Sequence, residues 1–100
     1  MNDGLTSDVR DKIINLCKAI IPQACIWLYG SRSRGDYLSN SDIDLALQAD
    51  QPIGYFKIAE LKEVLAATDL SYKFDIIDIN SIQDKKFKEN IEKEMILWKE

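Results

Sequence analysis

Residues 29–47 read YGSRSRGDYLSNSDIDLAL. The closing SDIDLAL alternates with a period of two: Ile43, Leu45 and Leu47 fall on one side, and Asp42, Asp44 and Ala46 on the other. That is the pattern of a strand with one apolar face. Residues i and i+2 of a strand stand roughly 7 Å apart on the same side, so Asp42 and Asp44 share a face. Carboxylates held side by side without a counter-charge raise each other's proton affinity. The pair is either the solvated face of an edge strand or a place for a cation.

The residues ahead of the strand bear on that choice. Gly30 and Ser31 follow an apolar run and precede Arg32, Arg34 and Gly35. A turn or helix start at this point exposes backbone N–H groups, which bind anions, and the Ser31 hydroxyl adds a donor. Arg32 and Arg34 bring positive charge close by. A phosphate-binding turn leading into an acidic strand suits a metal–nucleoside triphosphate. Two other motifs fail. Gly30 and Gly35 have P-loop spacing, but Asp36 and Tyr37 stand where Lys and Ser/Thr are needed. Asn40, Asp42 and Asp44 begin like an EF-hand loop, yet Leu45 and Gln51 occupy its glycine and final glutamate positions.

Outward from this stretch, the periodicity predicts a helix from Thr6 to Ile21, capped by Thr6 or Ser7 and ended by Pro22. ACIWLY, Ala24 to Tyr29, reads as a buried strand. QADQPIG is a connection, and Tyr55 to Ala67 a second amphipathic helix carrying Ile58, Leu61 and Leu65. YKFDIIDI, Tyr72 to Ile79, is a third strand. A last helix, capped by Asn80 or Ser81, is expected through Phe87, Ile91, Met95 and Trp98. Helices alternating with about three strands predict an α/β (α+β) fold with a small sheet, as one domain over residues 1–100. Strand order and direction are not set by the pattern.

Composition narrows the chemistry. The chain has 100 residues, 46% hydrophobic and 30% charged, with a net charge of -4 and a pI near 4.8. That balance argues against tight nucleic-acid binding by the chain alone. With no histidine, Ser-His and Cys-His nucleophiles are excluded and a zinc site is disfavoured. Cys17 and Cys25 lack metal-ligand spacing and read as buried thiols. No signal peptide or membrane-spanning run is evident, which points to the cytoplasm.

Gly30-Ser31, ten intervening residues and then Asp42-Ile43-Asp44 resemble the signature of the DNA polymerase β-like nucleotidyltransferases. Within that superfamily GSRSRGDYLSNSDIDLAL closely resembles the minimal nucleotidyltransferases, the MNT proteins, with Ser41 directly before the acidic strand. The resemblance implies a polymerase β-like core with a small mixed sheet. It implies nucleotide binding by Gly30, Ser31, Arg34 and Ser41, and two Mg²⁺ ions held by Asp42, Asp44 and a third acid on the next strand. Asp75 and Asp78 both lie there, on opposite faces. The family pattern favours Asp75 as ligand and general base, while Asp78, nearer the strand end, suits a turn or cap. The implied activity is transfer of AMP from ATP to a tyrosine of a helical HEPN RNase toxin, in a complex of unlike chains. The competing readings are a non-catalytic antitoxin or scaffold, and a transferase acting on a small molecule.

Overall fold

A computed structural model describes residues 3–100. Helix α1, Ser7–Ile20, starts where the Thr6 hydroxyl accepts the Val9 N–H, and it turns Ile13 and Cys17 inward. Strand β1, Cys25–Tyr29, runs into a one-turn helix α2, Ser31–Arg34, and β2 covers Ile43–Gln48. Helix α3, Tyr55–Ala66, leads to β3, Phe74–Asp78, and a 3-10 turn at Ile79–Ser81. The last elements are α4, Lys85–Glu94, and β4, Ile96–Lys99.

The four strands form one mixed sheet in the order β3-β2-β1-β4. β1 is antiparallel to β2 and to β4, whereas β2 and β3 run parallel. The parallel pair needs a crossover, which α3 supplies. Ile26, Leu28, Ile43, Leu45, Leu47 and Ile76 face α1 and α3 and form the main core with Ile13, Cys17, Leu61 and Leu65. The opposite face is also covered. Ile91 of α4 packs there with Tyr29, Ala46 and Ile79, so the side of β2 that carries Asp44 is roofed rather than an open outer face.

The C-terminal segment departs from the sequence expectation. The helix stops at Glu94, and Ile96–Lys99 adds a fourth strand beside β1. Met95, Ile96 and Trp98 fit a helical stripe as well as they fit an alternating strand, and an open edge of β1 decides between them. The helix cap also moves. Asp84 accepts the Lys86 and Phe87 N–H groups, while Asn80 and Ser81 sit in the 3-10 turn. Cys17 is buried, and desolvation pushes its thiol up to about 12. Cys25, at the start of β1, is only partly buried, so the expectation of two buried thiols holds for one. Among the described residues no helix is long and apolar enough to cross a membrane.

Candidate active site

Strand register builds the site. Tyr29 is paired with Asp44 across the antiparallel β1–β2 ladder, and Asp44 with Asp75 across the parallel β2–β3 ladder. Directly paired residues project to the same side of a sheet, so the end of β1, Asp44 and Asp75 form one row. Asp42 precedes β2 by one residue and is exposed. Burial, followed by the charges of Asp75 and Asp42, lifts the Asp44 carboxyl to about 6. Arg34 opposes the shift only in part.

Gly30 lets the turn and the acid approach. Its backbone lies at φ +77, and a Cβ there would run into the Asp44 carboxylate. The glycine carbonyl accepts the Ser33 and Arg34 N–H groups and the Ser33 hydroxyl, which close the single turn of α2. Ser31 heads that turn, half-buried. The Gly30 N–H donates to Glu94 Oε1 at 3.1 Å, and Arg34 Nη1 donates to Glu94 Oε2 at 3.0 Å. Sequence reasoning did not single out Glu94. The only signal for it was its place at the end of a helix whose neighbours in space were unknown.

The two arginines separate. Arg34 is exposed, bridges Glu94 and Asp36, and is held protonated most strongly by Glu94 and then by Asp36. Arg32 is only 2% exposed. It donates to the backbone carbonyls of Asp3, Ser39 and Ser41 and lies between the rings of Tyr37 and Tyr72, 5.1 and 5.2 Å from their centroids. It therefore ties down the loop between α2 and β2 and adds no charge to the turn's open side. Ser41 belongs to the same loop, its hydroxyl accepting the Leu38 N–H.

The two candidate third acids also differ. Asp75 is exposed, and its Oδ2 accepts the Tyr29 hydroxyl at 2.6 Å. Asp78 is buried, and its carboxylate accepts the Ile53, Gly54 and Asn80 N–H groups and the Ser81 hydroxyl. It fastens the β2–α3 connection to the end of β3. Among the described residues, no group of three His, Cys, Asp or Glu side chains stands as an arrangement that could hold a metal ion as it is. Asp42, Asp44 and Asp75 nevertheless offer hard oxygen donors of the kind Mg²⁺ takes. The raised Asp44 carboxyl, with its two acidic neighbours, marks a local excess of negative charge, so the chemistry of the donor set fits a divalent cation.

The structure thus brings a glycine-serine turn up to paired strand carboxylates on a mixed sheet. The chain belongs to the polymerase β nucleotidyltransferase family, whose model matches residues 11–100. It is 28% identical over 97 residues to a Haemophilus influenzae protein named "Probable protein adenylyltransferase MntA", an alignment covering 93% of this chain and 84% of that one. The fold is similar to a crystal structure of a toxin-antitoxin with AMP-PNP, with a TM-score of 0.76 and 30% identity over 91% of this chain and 73% of the other. It also resembles an MNT antitoxin complexed with a tri-AMPylated Shewanella oneidensis HEPN toxin. There the TM-score is 0.69, with 27% identity over 91% of this chain and 70% of the other.

Proposed function

We propose that this nucleotidyltransferase is a metal-dependent protein adenylyltransferase, an antitoxin that moves AMP from ATP onto a tyrosine hydroxyl of a HEPN toxin. The observation that carries the reading is the row formed by the Gly30 turn, Asp44 and Asp75 through strand register. The relatives support the protein acceptor, since one is named a protein adenylyltransferase and another is complexed with an AMPylated HEPN toxin. ATP as donor accords with the AMP-PNP complex.

In this reading Ser31, the turn N–H groups and Arg34 hold the β- and γ-phosphates. Asp42, Asp44 and Asp75 would hold Mg²⁺, which when bound would make the acceptor hydroxyl more acidic and offset the triphosphate charge. Asp75 releases Tyr29 and accepts the proton of the incoming tyrosine, whose free pKa is about 10. The tyrosine oxygen bonds to the α-phosphorus, the α–β bridge breaks, and pyrophosphate leaves.

A second reading is a non-catalytic antitoxin that blocks its partner by binding alone. Intact-mass analysis separates the two. Incubation with a co-encoded HEPN protein, ATP and Mg²⁺ should add roughly 329 Da per AMP to the partner, and Asp44→Asn should abolish the adduct. A partner that is bound and inhibited but unmodified favours the binder.

A further inference from the structure

The phosphate turn already holds an anion. Glu94, the last residue of α4, places one carboxylate oxygen on the Gly30 N–H and the other on Arg34 Nη1, at 3.1 and 3.0 Å. Those are two of the donors a triphosphate would use, and Glu94 reaches them from 60 or more residues away in sequence. Such charge-assisted hydrogen bonds are among the stronger polar contacts. The single Gly30 N–H cannot serve Glu94 and a phosphate oxygen together, and a carboxylate left in place would repel the incoming charge.

We infer that Glu94 is an internal competitor that occupies the triphosphate seat and sets nucleotide affinity by having to leave it. The inference rests on the reading of the Gly30-Ser31 turn as that seat. The side chain has somewhere to go. A cavity of about 590 Å³ opens beside it, bounded by Tyr29, Gly30 and Arg34 on the sheet side and by Phe87, Asn90 and Lys93 on α4. Lys93 offers the displaced carboxylate a counter-charge. Nucleotide binding then requires the fraction of molecules in which Glu94 has swung away, and apparent affinity falls in proportion to that fraction.

Calorimetric titration with inorganic tripolyphosphate and with ATP, each with Mg²⁺, tests this on wild type, Glu94→Gln and Glu94→Ala. Gln keeps an acceptor for the Gly30 N–H while losing the charge. Both variants should bind both ligands about fivefold tighter or more, although their thermal melts should be no higher than wild type. A merely structural tie predicts the reverse, weaker binding that follows the loss of stability. Unchanged or weaker affinity in both variants, or failure of both to fold, overturns the inference. Ser31→Ala distinguishes the causes. If tripolyphosphate binds wild type and weakens with Ser31→Ala, the seat stands and only the role of Glu94 is lost. If Ser31→Ala changes nothing, the seat reading falls, and the inference with it.

Discussion

The Tyr29 hydroxyl donates to Oδ2 of Asp75 across 2.6 Å, joining the residue before the glycine-serine turn to the acid on β3. Burial first, then the hydrogen bond and charge of Asp75, push the tyrosine's ionisation well above its ordinary range. Tyr29 is therefore a neutral donor at any working pH. It occupies one oxygen of the Asp75 carboxylate.

Tyr29→Phe should release that oxygen. The hydrogen bond is worth about 1 kcal/mol net, so the variant should unfold at slightly lower urea concentration. Half-maximal transfer should need about two- to fivefold less Mg²⁺, because the hydroxyl no longer competes for Asp75. A Mg²⁺ titration of the transfer rate checks it. An unchanged or higher requirement would mean that the hydroxyl orients Asp75 for the cation.

The second prediction concerns pH. In the folded chain the Asp44 carboxyl sits at about 6, against an ordinary 3.8. The folded state binds the proton more tightly than the unfolded state does. The stability this adds is complete below pH about 4 and is lost as pH rises through about 6. Two units correspond to at most about 3 kcal/mol, and solvent screening around a half-buried group reduces that to about 1–2 kcal/mol. In EDTA, Asp44→Asn should thus be more stable than wild type by that amount at pH 7–8 and equal to it near pH 4. Urea melts across pH read the difference. The same variant, like Asp42→Asn, should lose transfer altogether.

The acids on β3 should part company under mutation. Asp75→Asn should abolish transfer and leave the melt nearly unchanged, because the residue is exposed and makes one side-chain hydrogen bond. Asp78→Ala removes the acceptor for three backbone N–H groups and the Ser81 hydroxyl. It should cost about 2–4 kcal/mol while the remaining folded protein still transfers AMP. Denaturant melts beside single-turnover rates decide the matter. A stable but inactive Asp78→Ala would exchange the two roles.

The acids were legible in the sequence because a strand's period of two assigns faces without knowledge of the fold. Asp75 and Asp78, both within β3, oppose each other in any register, whereas the shared face expected of Asp42 and Asp44 reaches only as far as the strand, and β2 begins at Ile43. Ile96–Lys99 was not legible, because four residues following a helix carry too little pattern to reveal the open edge of β1 that recruits them. Glu94 was hidden for a related reason: its partners Gly30 and Arg34 lie 60 or more residues away. Arg32 and Arg34 look alike in sequence, two residues apart on one turn. A single helical turn points them in different directions, one under the loop and the other to solvent.

That divergence supplies the last prediction. Arg32 is a buried cation whose guanidinium is satisfied by three backbone carbonyls and flanked by two tyrosine rings. Arg32→Met would leave the Ser39 and Ser41 carbonyls without those donors and loosen the loop that delivers Asp42 to the strand. A loss of about 3 kcal/mol is expected. Arg32→Lys should rescue little of it, since one ammonium cannot reproduce the planar fork that spans Asp3, Ser39 and Ser41. Arg34→Ala should do the opposite: its ion pairs with Asp36 and Glu94 are exposed, so the melt should move little while triphosphate affinity falls. Thermal melts and nucleotide titrations on the three variants make the comparison. Should Arg34→Ala unfold the protein and Arg32→Met merely weaken nucleotide binding, the assignment of the two arginines would be reversed.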